Sequence, residues 1–224
     1  MIPDSDLARL PIETMNDLRA RLRDAHYTTY NTLNTIFTGG LVAYLLRRVL
    51  EMPAAQRPWL LVLATLLVII ACWSGLFRLL ALLRFASRMS DAMISFACGT
   101  AVYVMVSRLD EGAHAWLQVA SMVALFGGVG TLNMLRGART DSFNAHVLHL
   151  IDTDMRRAAW ARLALVPVML ALAFSPIHAQ VLAALALAGS AAALVVDELV
   201  WARTVAHTQV PRPTGEASQE TAPN

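Results

Sequence analysis

A chain of 224 residues could hold one or two water-soluble domains, but this one is 57 % hydrophobic and 15 % charged, with a mean hydropathy of +0.52. That composition excludes a disordered chain and does not suit a solvated globule. The formal charge is +2, every one of the 18 basic residues is arginine, and no dense arginine block with interleaved aromatics occurs, which excludes a nucleic-acid-binding surface.

Residues 1–26 are polar with a helical rhythm: Met15, Leu18, Leu22 and Ala25 recur at spacings of three and four among Asp17, Arg19, Arg21, Arg23 and Asp24. This pattern predicts an amphipathic helix at the membrane surface or against a partner. The first ten residues lack a basic start followed by an apolar stretch, so a signal peptide is not expected. Residues 27–46 carry no charge, yet Thr and Asn are frequent among them and Gly39 and Gly40 sit near the middle. Hydropathy alone leaves this segment ambiguous as a span.

The following segments are clearer. Trp59 to Phe77 runs nineteen residues without a charge, about 28 Å of helix against the roughly 30 Å hydrocarbon thickness of a bilayer. Further spans are expected at 90–107 and 114–135, separated by a tight polar turn at 108–112. A connection over 136–157 follows. The charge-free run from Leu163 to Val196 is too long for one crossing, and the step from Ser175 to Pro176 breaks it into a hairpin, about 158–175 and 177–201. Residues 204–224 hold three prolines and no aromatic and are expected to be a disordered tail.

Arginine placement decides whether residues 27–46 cross, because cytoplasmic loops of membrane proteins are enriched in Lys and Arg. Six spans with an inner N-terminus put fourteen arginines inside and four outside, whereas five spans divide them eight to ten. The uneven division selects an all-α, six-span bundle in the cell (inner) membrane, at about 27–46, 59–80, 90–107, 114–135, 158–175 and 177–201, with both termini cytoplasmic. Arg78 and Arg162 are expected to snorkel to the near interface.

Few groups in the spans suggest chemistry. Asn31, Asn34, Thr35 and Thr38 form a polar stripe on the first span, and Asn133 lies on the fourth. Amides facing acyl chains would go unsatisfied, so these five should face other helices or a water-lined path. In the 136–157 connection, His146, His149 and Asp152 share one helical face and could form a cytoplasmic-face site, while Phe143, Val147, Leu150 and Ile151 make the opposite, apolar face. An interfacial helix explains that pattern without a ligand, so no metal, cofactor or catalytic residue is expected. Cys72 and Cys98 have no spacing motif, and Gly127, Gly128 and Gly130 read as helix-packing positions. Three functions fit the sequence: a small channel or permease for an ion or neutral solute, a non-catalytic anchor that docks a cytoplasmic protein or assembles as a homo-oligomer, and, last, a membrane-embedded enzyme. The bilayer is the one partner common to all three.

The topology predicts that a cytoplasm-only fluorescent reporter fused after His207 is bright and that alkaline phosphatase fused after Glu111 is active. A dark reporter together with an inactive phosphatase would refute six spans.

Overall fold

A computed structural model describes residues 12–83, 89–140 and 142–208, and among them the chain is all-helical, with no strand. Six α-helices follow one another: α1 (Ile12–Glu51), α2 (Trp59–Leu82), α3 (Met89–Ser107), α4 (Ala113–Ala138), α5 (Ala145–Ala173) and α6 (Ala179–Thr208). Four of them, α2, α3, α4 and α6, are long and apolar enough to cross a membrane. The other two fall short for a visible reason. The Thr and Asn of residues 28–38 dilute α1, and Arg156, Arg157 and Arg162 interrupt the apolar half of α5.

Helix boundaries fall where local chemistry stops propagation. Pro53 and Pro58 flank the single 3-10 turn between α1 and α2. Gly112, with φ of +88°, closes the turn before α4 in a conformation that side chains resist. The break expected near Ser175 and Pro176 is present, since α5 ends at Ala173 and α6 starts at Ala179. Three boundaries differ from the sequence expectation. The surface segment and the first span are one continuous helix from Ile12, although residues 1–11 and the side chains up to Tyr27 lie outside the description. The connection over 136–157 shrinks, because α4 continues to Ala138 and α5 already begins at Ala145. Finally, α6 continues to Thr208, and only 209–224 of the expected tail fall outside the described residues.

Helix α4 is the centre of the bundle: it packs mainly on α5 and α3, and also touches α6 and α2. Its apolar stretch is 44 % buried, against 17 % for α6. Glycines allow the close approaches. A Cβ at Gly128 would lie 2.8 Å from Leu163 Cγ and 3.0 Å from the Ala159 carbonyl oxygen of α5, and one at Gly130 would lie 3.2 Å from Ile94 of α3. The ring of Phe37 rests on Gly99 in the same way, seating α1 against α3.

Two apolar cores result. The larger joins Leu41, Leu45, Leu61, Ile69, Met105, Trp116, Val123 and Leu182, among others. Within it the Trp116 indole donates to Thr65 Oγ1 (2.8 Å), whose hydroxyl donates to the Leu61 carbonyl (2.7 Å), so the one polar knot there is closed. The smaller core joins the ends of α2 and α4 (Leu79, Leu83, Met134, Leu135, Ala138) to Leu148 and Ile151 in the first half of α5. That half of α5 therefore packs against the ends of α2 and α4.

The glycine contacts predict a contrast. Gly128→Ala drives a methyl into α5 and should cost on the order of 1–3 kcal/mol. Gly39→Ala enters open space and should leave the melting temperature unchanged or slightly raised, because Ala favours helix. Equal melts for the two variants in detergent would contradict the α4–α5 contact.

Candidate functional site

The polar residues that the helices bring together are not mainly those of the first span. Between the two apolar cores lies a layer of charge. Arg162 of α5 directs its guanidinium at Asp197 of α6, with Nη2 at 3.0 and 2.8 Å from the two carboxylate oxygens, and its Nη1 donates to Thr131 Oγ1 of α4 (3.3 Å). Arg78 of α2 donates to the Asp197 backbone carbonyl (3.3 Å), pairs with the Glu198 carboxylate, and stacks over the Trp201 ring at 5.3 Å. Arg78, Thr131, Arg162, Asp197 and Trp201, with Gly75, line a cavity of about 40 Å³, room for roughly two or three waters. Arg78 and Asp197 keep only 16 % and 20 % of their side-chain surface exposed.

The depth of this layer follows from helix length. Arg78 lies 19 residues beyond Trp59, Thr131 lies 18 beyond Ala113, and Asp197 lies 18 beyond Ala179. Each distance is about 27 Å of helix, nearly one hydrocarbon thickness. The layer thus sits at one boundary of the apolar slab, with the smaller core and the first half of α5 beyond it. Arg78 and Arg162, expected to snorkel to the near interface, pair at that level with carboxylates of α6.

The first-span stripe is distributed among other tasks. Asn34 reaches the Trp73 carbonyl of α2 at 3.5 Å. Asn31 Oδ1 is buried without a hydrogen-bond partner, Thr35 is exposed and Thr38 half-buried. Asn133 turns to α3, donating to Asp91 Oδ1 (2.6 Å) and Ser90 Oγ (3.1 Å). Asp91 is 2 % exposed and lies within electrostatic reach of Tyr30, so α1, α3 and α4 meet in a second polar cluster. None of the five stripe residues borders the charged cavity.

At the end of α5, His146 and His149 are exposed, whereas Asp152 is engaged by Arg139 (2.7 and 2.8 Å) and Arg156 (3.1 Å). Leu148 and Ile151 bury against the smaller core. Phe143 lies outside the described side chains. Among the described residues, no three His, Cys, Asp or Glu side chains gather as a metal-binding group. Cys72 and Cys98, unrelated in sequence, face each other between α2 and α3 within hydrogen-bonding reach, both thiols free.

Arg162 and Asp197 were recoverable from one signal. They bracket the charge-free run, and folding that run at residues 174–178 brings its two ends to one level. Arg78 and Glu198, 120 positions apart, carry no such signal.

The fold and its apolar surfaces define a helical-bundle membrane protein. Comparison with known protein families, with characterised proteins and with solved structures finds no match for the chain.

With Asp152 held by two arginines, His146→Ala combined with His149→Ala should leave the metal content of the purified protein unchanged. Stoichiometric zinc or iron lost in that double variant would reverse the reading.

Proposed function

We propose that this protein is a six-span inner-membrane permease or channel for an ion or small solute, with both termini cytoplasmic and its cytoplasmic mouth at the Arg162–Asp197 cavity. One observation carries the reading: three charged side chains, Arg78, Arg162 and Asp197, and Thr131 line a cavity between two apolar cores. The Arg162–Asp197 pair is part-buried, with side chains 31 % and 20 % exposed, and so stays within reach of a small solute at the cavity. Asn31, Asn34, Thr35, Thr38 and Asn133, none of which lines the cavity, are the further path candidates.

The anchoring alternative rests on a separate feature. The first half of α5 packs on the ends of α2 and α4 and leaves His146 and His149 exposed, a surface that a cytoplasmic protein could meet.

The test pairs flux in proteoliposomes with a thermal melt of the same variants. Ala158 lines the cavity, so Ala158→Leu should fill the mouth and abolish flux while the melt holds. Asn34→Leu with Thr38→Leu should lower flux if the stripe lines the path. If it only ties α1 to α2, the melt should fall instead, by about 1 kcal/mol per lost contact. Absence of wild-type flux across a panel of ions and small neutral solutes would reject the permease and leave anchoring as the better account.

A further inference from the structure

We propose that Cys72 and Cys98 form a two-coordinate site for one soft monovalent metal ion, copper(I) or its analogue silver(I). The pair lies outside the charged cavity, and the inference does not depend on the permease reading. The two thiols stand on different helices, α2 and α3, and face each other within hydrogen-bonding reach, neither joined in a disulfide. Both pack against the larger apolar core. Cys72 lies six residues before Arg78, about 9 Å along α2 and inside the hydrocarbon slab. It shares a helix face with Gly75, which lines the cavity one turn closer to the layer of charge. A small ion in the cavity therefore stands about one helical turn from the first thiol.

The ligand set chooses the metal. Among the described residues, no third His, Cys, Asp or Glu joins the two thiols as a metal-binding group. Structural zinc takes four ligands, and calcium and magnesium take oxygen. Copper(I) is selected by thiolates and, like silver(I), is satisfied by two of them in line. Two metal–sulfur bonds of about 2.3 Å in line hold the sulfurs about 4.6 Å apart, near the separation of touching thiols. A disulfide would draw them to about 2 Å and would need an oxidant as well. Binding breaks two S–H bonds, releases both protons to water and forms two metal–sulfur bonds, with no electron transferred. The product carries one net negative charge. Arg162 lies within electrostatic reach of both thiols and compensates that charge, opposed by Asp197 at Cys72.

The experiment uses the purified full-length protein in detergent, without oxygen and with a phosphine reductant that keeps both thiols reduced. Copper(I), added as its acetonitrile complex, is titrated against bicinchoninate, a chelator whose coloured copper(I) complex reports the metal that the protein does not hold. The wild type should withhold one copper(I) per chain. Cys72→Ser and Cys98→Ser should each lose that equivalent, because either change leaves a single sulfur. Zinc(II) should not be retained by any of the three. Should the variants fail to fold, the wild type decides: X-ray absorption of the copper-loaded protein should show two sulfur ligands and no nitrogen or oxygen. No copper withheld by the wild type overturns the site. So does copper retained equally by both single variants, zinc held as firmly as copper, or an absorption spectrum with fewer than two sulfurs.

Discussion

Inside a bilayer no water is available to satisfy a polar group, so each must find its partner within the protein. This constraint organises the bundle. The hydroxyls of Thr65, Thr100, Thr131 and Ser190 donate to the carbonyl four residues earlier, while those of Ser107 and Ser121 reach back three. Each is closed within its own helix, leaving the helix surface apolar for neighbours or lipid. Side chains too long or too polar for that solution reach across instead, and their contacts decide which helices pair. Trp116 ties α4 to α2, Asn133 ties α4 to α3, and His114 Nδ1 lies 2.9 Å from the Ala173 carbonyl where α4 meets α5.

Charge obeys the same rule at higher stakes. An isolated guanidinium at the edge of the hydrocarbon either extends toward water or brings a carboxylate with it. Arg48, near the opposite end of α1, pairs with Asp110 at 2.8 Å. Arg78 and Arg162 take the same course with α6. Beyond them, Leu148 and Ile151 of α5 pack against the ends of α2 and α4. Helix α5 thus does two things with one continuous run. Its second half meets the larger core, and its first half meets the smaller one.

The sequence was informative where composition and period decide the outcome. Charge-free stretches located α2, α3, α4 and α6, Ser175 and Pro176 located the hairpin, and the glycines at 127–130 were legible as packing positions. Less legible were features set by tertiary contact. Residues 139–144 suffice to connect α4 and α5, because the apolar face of 147–151 finds a core to cover rather than a membrane surface to lie on. The polar stripe of α1 was visible, but its partners were not, since Asn34 is satisfied by a backbone carbonyl, which every residue possesses and no sequence pattern marks. The facing of Cys72 and Cys98 depends on the rotation of two helices about their axes, a quantity that a nearly uniform apolar sequence leaves open.

The layer of charge also bears on how α6 is held. Only 17 % of its apolar stretch is buried, and its fully buried residues, Leu182, Ala183 and Ala186, lie in the half nearest the hairpin. Toward the other end, contact with the bundle passes largely through Asp197, Glu198, Val200 and Trp201, two of them charged and one beneath the Arg78 guanidinium. Leucines at those positions would fasten the helix at least as firmly, because apolar burial carries no desolvation penalty. An ion pair differs from a leucine contact in one respect that matters at a cavity: it can be exchanged for another charge or for water without leaving a void. The end of α6 is therefore fastened largely by polar bonds, and the opposite end by apolar contacts.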